Sequence, residues 1–183
     1  MRWFRSASVM LFVLVLLVGD AYSGDEPSSS HEYFPSRFWP YLRKTQSMCI
    51  RSEDLGNTLG EMSAIMSSAG CDALYRPYDY DSEVALRHMM DVAGQGILAS
   101  KALIRDLSAC KPADCLKPYH GHLMSTFQTI RGFYNYLYNC LSLGRCASLD
   151  SCDWYSRRMN WYVDDATASF LEAKEKCLEK KGK

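Results

Sequence analysis

Eight cysteines run from Cys49 to Cys177, and seven of them fall at or near the end of a segment with helical hydrophobic spacing. A chain cross-linked at its helix ends has few arrangements open to it, because a bridge requires two α-carbons within about 7 Å. Where the helices start and stop therefore decides which cysteines can meet.

The amino terminus sets the redox expectation. Arg2 and Arg5 precede an apolar run from Val9 to Val18, and Ala21 and Ser23 place small residues at the minus-three and minus-one positions of a cleavage site. This pattern predicts a signal peptide over residues 1–23, too short in its apolar part to span a bilayer. Residues 24–36 begin with a polar, serine-rich stretch and are expected to be flexible; residues 37–183 are expected to form a single helical domain. A secreted, extracellular protein without integral membrane association is the expectation, and bridges persist in that compartment.

Lys plus Arg and Asp plus Glu each number 21. Loss of Arg2, Arg5 and Asp20 with the leader leaves 19 against 20, a net charge of minus one. Nucleic acid needs a basic face, so nucleic-acid binding is not expected. No Asn-x-Ser/Thr acceptor occurs.

Four segments carry steps of three and four. In the first, Tyr41, Met48, Leu55 and Met62 alternate with Thr45, Ser52, Leu59 and Met66. The second joins Leu86, Met90, Ala93, Ile97, Ile104 and Leu107, with Ser82 as its expected N-cap and Gly94 and Gly96 weakening its middle. Pro118 opens the third, in which Leu123, Phe127, Ile130, Tyr134, Leu137 and Leu141 draw the cleanest stripe. The fourth begins near Ser151 or Asp153 and runs through Tyr155, Met159, Tyr162, Ala166, Phe170, Ala173 and Cys177. No segment of comparable length alternates with period two. Short connections then predict an all-α, disulfide-stapled, up-down-up-down four-helix bundle.

Laid on that bundle, Cys49, Cys110, Cys115 and Cys177 belong to one end, and Cys71, Cys140, Cys146 and Cys152 to the other. Cys115 and Cys140 are 25 residues apart, as are Cys152 and Cys177; at ~1.5 Å per residue that is about 37 Å, which excludes bridges between the ends. Of about 105 pairings of eight cysteines, roughly nine remain. All eight cysteines are expected to be bridged, with Cys71 and Cys49 each tying the first helix to the third or fourth.

No catalytic constellation is present, and no enzymatic activity, cofactor or metal is expected. His120 and His122 are two apart on a helix, where their rings diverge by about 200 degrees. Asp164 and Asp165 are adjacent and also point apart.

Binding is the stronger expectation. Trp154 and Trp161 are seven residues apart on the fourth helix with Arg157 and Arg158 between them, the residue types from which interface hot spots are built. A second aromatic cluster, Tyr75, Tyr78 and Tyr80, lies on the first connection. These residues predict a contact surface for an extracellular protein, the chain acting as an inhibitor, effector or signal. The alternative is a carrier of a small hydrophobic, lipid-like ligand in an interior lined by Met48, Met62, Met66, Met89, Met90, Met124 and Met159. Exposed tryptophans would favour the first, and an internal void the second.

Overall fold

The four helical stripes become four long helices in a computed structural model, which describes residues 34, 36–68 and 70–179. In chain order they are α1 (Trp39–Met66), α3 (Tyr80–Ser108), α4 (Lys117–Ser142) and α5 (Leu149–Glu179). A short helix, α2 (Gly70–Leu74), occupies the start of the first connection, and 3-10 turns precede α1 and α4. The fold is an all-α helical bundle with two disulfides. Among the described residues no helix is long and apolar enough to cross a membrane. The predicted leader lies outside the described residues.

α4 is the central element and packs on α1, α3 and α5. Its six-residue stripe from Leu123 to Leu141 is buried throughout, joined by Tyr119 and Phe133. The Tyr41 hydroxyl lies 3.1 Å from His120 Nδ1, and the Tyr134 hydroxyl donates to the Leu55 carbonyl at 2.8 Å. Both pairs are separated by 79 residues, so α1 and α4 run parallel. α4 and α5 run antiparallel: Cys115 is bonded to Cys177 near one end, Phe133 stacks on Tyr155, and the Tyr136 hydroxyl accepts from the Ser148 amide near the other.

The polar members of the stripes are accommodated locally. Thr45, Ser52, Ser100 and Ser156 are buried, and each hydroxyl donates to a carbonyl of its own helix at 2.8 to 3.0 Å. A buried hydroxyl satisfied this way avoids the cost of an unpaired donor. That is why the partly polar stripe of α1 can face the core.

Three sequence expectations shift. α3 starts at Tyr80, because Asp79 and not Ser82 is its N-cap: the Asp79 carboxylate accepts from the Asp81 amide at 3.2 Å. Ser82 instead directs its hydroxyl to the Ala73 carbonyl (2.6 Å) and to Asp79 (2.8 Å), clamping α2 to the start of α3. The buried face of α3 is also rotated, to Met89, Ala93, Gly96, Ser100, Leu103 and Leu107. Small Gly96 lets Tyr134 of α4 approach closely, whereas Leu86, Met90 and Ile97 lie at the margin of the core. Finally α5 starts at Leu149, because the Ser148 hydroxyl accepts from the Ser151 amide at 3.1 Å.

The disulfides respect the division into two ends. Cys71 is bonded to Cys146 with α-carbons 5.8 Å apart, and Cys115 to Cys177 at 5.7 Å. Cys71 thus ties α2 to the α4–α5 connection. The expectation for Cys49 is corrected: the turn before α4 sets Cys115 against the end of α5, which removes both of its expected partners. Cys49, Cys110, Cys140 and Cys152 are thiols in this structure, so only half of the expected bridges are formed.

Phe34, within the segment expected to be flexible, is buried against Phe170 (5.2 Å between ring centroids) and Phe38 (6.3 Å). Trp39 donates its indole N–H to the Phe34 carbonyl at 2.9 Å.

Candidate functional site: an aromatic groove between α4 and α5

Residues four apart on a helix share a face, and Trp154, Arg158 and Tyr162 form such a row on α5. The Arg158 guanidinium stands 5.0 Å from the Trp154 ring centroid and 5.4 Å from that of Tyr162, and it donates to the Tyr162 hydroxyl at 2.9 Å. Stacking a cation between two rings contributes roughly 0.5–1 kcal/mol per exposed contact and, more usefully here, holds three long side chains in one geometry. Trp161 extends the row, its ring stacked on Tyr162 at 5.1 Å.

The row is anchored to the core by Tyr155. Its ring lies parallel to Phe133 at 4.8 Å, meets Tyr136 at 5.8 Å and takes the edge of Trp154 at 4.8 Å. Burial, and then the neighbouring Tyr136, raises the Tyr155 pKa above its ordinary value, so the hydroxyl stays protonated. Gly132 on α4 lies beside this ring, where a Cβ would meet Tyr155 at 3.4 Å in ordinary van der Waals contact.

Between the α5 row and α4 lies an open groove of about 320 Å³, with Ser125, Gln128, Thr129 and Gly132 as its α4 wall. One wall is thus aromatic and cationic, and the other small and polar. Trp154 is 48% exposed and Trp161 58%.

Of the predicted binding residues, the fold brings Trp154, Arg158 and Trp161 together. Arg157 is directed elsewhere, into an ion pair with Asp153 at 2.6 Å. The first-connection tyrosines separate by role. Tyr75 is half-buried and donates to the Arg145 carbonyl at 3.1 Å. That carbonyl is held in place by the end of α4, where Gly144 takes a positive φ of 61° while the Arg145 amide donates to the Cys140 carbonyl and the Gly144 amide to that of Leu141. Tyr78 and Tyr80 are exposed, and Tyr78 has a φ of 68°, a left-handed conformation that a side chain disfavours. Sequence reasoning assigned Tyr155 and Tyr162 to the core stripe and passed over Ser125, Gln128, Thr129 and Gly132; mid-helix Gly132 was the available signal.

The histidine pair diverges. His120 faces Tyr41 of α1, and His122 faces Asp165 of α5 at 3.8 Å. Among the described residues no three His, Cys, Asp or Glu side chains gather as a metal site would require.

The methionines are core filler, five of them buried and Met90 and Met124 packed at its edge. At Gly96 the Tyr134 ring fills the space a side chain there would need.

No family model, curated protein or solved structure matches the chain.

Proposed function

We propose that this chain is a secreted, disulfide-stapled helical binding protein that engages an extracellular protein through the α4–α5 groove, as an inhibitor, effector or signal. The observation that carries the reading is the exposure of Trp154 and Trp161 on either side of a clamped Arg158. Exposed tryptophan is costly to solvate, and rings already held by Tyr155 and Arg158 lose little further entropy on binding. Exposed Tyr78, in its unfavourable backbone conformation, supports a second contact point, since strain in an exposed residue brings no packing in return. No residue is given a catalytic role. The interior-carrier alternative rests on the methionines, which pack in the core or at its edge.

The test places a photo-crosslinking residue at Gln128, in the groove wall, and exposes the protein to the extracellular fluid of its source. A discrete protein adduct that disappears with Trp154→Ala or Arg158→Ala supports the proposal. Adducts indifferent to both substitutions, or native mass spectra carrying a small apolar ligand, would sink it. Secretion is checked separately, by recovery from eukaryotic culture medium of a chain lacking residues 1–23.

A further inference from the structure

Four thiols remain after the two bridges, one pair at each end of the bundle: Cys49 with Cys110, and Cys140 with Cys152. We infer that the oxidised protein carries two more disulfides, Cys140–Cys152 and Cys49–Cys110, which complete one closed staple set at each end.

The α4–α5 register argues for the first. Cys140 lies 25 residues beyond Cys115, and Cys152 lies 25 residues before Cys177. In helical geometry 25 residues make about seven turns less 20 degrees, so each helix brings its second cysteine back to nearly the same face after about 37 Å. Because α4 and α5 are antiparallel and Cys115 meets Cys177, equal steps along both helices bring Cys140 opposite Cys152. A contact below the pair agrees: Tyr136, one turn before Cys140, meets Tyr155, about one turn after Cys152, and Cys140 acts electrostatically on the Cys152 thiol.

Elimination and contact argue for the second. Cys115 and Cys177 are already bonded, and the remaining cysteines lie at the far end, beyond any bridge. The Arg51 guanidinium reaches Asp106 at 3.2 Å, placing the α1 segment next to Cys49 against the last turns of α3. Cys110, one turn further on, directs its thiol to the Asp106 carbonyl at 3.2 Å. Both cysteines also act electrostatically on the Tyr41 hydroxyl, as groups must that share its surroundings.

Each bond forms by dithiol–disulfide exchange with a small-molecule or protein disulfide. One thiolate attacks the external disulfide and releases a thiol; the second thiolate then attacks the mixed disulfide and releases the other, so two protons and two electrons leave the pair. Burial pushes the Cys49 thiol up to about 12 and that of Cys152 up to about 11. A buried thiol raised in this way reacts slowly in the folded chain, which is why the test starts from unfolded protein.

The inference is independent of the binding proposal and is tested on the chain alone. Fully reduced, unfolded protein is refolded in a glutathione redox buffer, alkylated, and digested with trypsin plus an aspartate-directed protease. The latter cuts at Asp114, between Cys110 and Cys115, and at Asp150, between Cys146 and Cys152. The expected result is an intact mass about 8 Da below the reduced chain, two hydrogens per bond, with linked peptides for both new pairs. Alkylation at Cys49, Cys110, Cys140 or Cys152, or a link from Cys49 to any cysteine but Cys110, would overturn the inference. In Cys140→Ala a single alkylated thiol is expected, at Cys152; its absence counts equally against the pairing.

Discussion

The ring of Tyr134 lies in the space that a side chain at Gly96 would occupy, and its hydroxyl reaches across to donate to the Leu55 carbonyl. One residue of α4 thereby fixes the distance to both α3 and α1. Burial pushes that hydroxyl up to about 12, so it remains a donor at any physiological pH.

Substituting the two mid-helix glycines should have opposite effects. A Cβ at Gly94 meets nothing within 4 Å, so Gly94→Ala keeps the helix-propensity gain, roughly 0.5–1 kcal/mol. At Gly96 the same gain is outweighed by overpacking against a ring held at both ends, for a net loss of about 1–2 kcal/mol. Thermal melts should place Gly94→Ala about 2–4 °C above the parent and Gly96→Ala a few degrees below.

A second contrast concerns two buried tyrosines. The Tyr119 hydroxyl has no hydrogen-bond partner among the described residues, although Thr45 and Cys49 stand beside it. Tyr119→Phe should therefore be neutral or stabilising by up to about 1 kcal/mol, its ring contact with Phe170 retained. Tyr134→Phe removes a made bond and should cost about 1 kcal/mol. Urea titration of the two variants decides; equal losses would show that Tyr119 is bonded after all.

Stability should fall on mild acidification because of His120. Its burial lowers its pKa below the ordinary 6.5, so the folded state holds the proton less well than the unfolded chain. The contribution is complete above pH 6.5 and is lost as pH drops through that value towards the folded pKa. The Tyr41 hydroxyl lies 3.1 Å from Nδ1 and can donate to it only while that nitrogen carries no proton. Melting temperature should decline between about pH 7.5 and 5.5, and His120→Gln should flatten the profile over that range.

Trp154 and Arg158 of the groove, and Trp161 stacked beside it on Tyr162, should separate binding from folding. Trp154→Ala, Arg158→Ala and Trp161→Ala remove exposed groups and should change stability by less than about 1 kcal/mol. Each should weaken partner binding about tenfold or more in a titration with the crosslinked partner. Arg157→Ala is the control: its guanidinium is engaged with Asp153, and affinity should hardly change.

The α4 stripe was fully legible, since Leu123 to Leu141 repeat in steps that only a helix buries on one side, and all six are buried. Elsewhere local signals competed. Ser82 and Asp79 are both good caps, and the choice between them depended on Ala73, a carbonyl from another helix that recruits Ser82. The face of α3 was misread because Gly96 and Ser100 are invisible to a hydrophobicity count, yet both are buried, Gly96 directly against Tyr134 of α4. At the candidate site, Trp154, Arg158 and Trp161 were legible as residue types, but Arg157 was grouped with them because spacing cannot tell which of two adjacent arginines meets Asp153.

The sequence by itself determined that the chain is helical, where the long helices run and which cysteines share an end, because these follow from periodicity and from rise per residue. Only the tertiary structure decided which cysteine meets which within an end, which face of α3 is buried, and that Tyr155 and Tyr162 join the tryptophans at a groove. Those outcomes depend on how one helix is rotated against its neighbour, and that rotation is set by side chains distant in sequence, above all Tyr134 on Gly96 and Tyr155 stacked on Phe133.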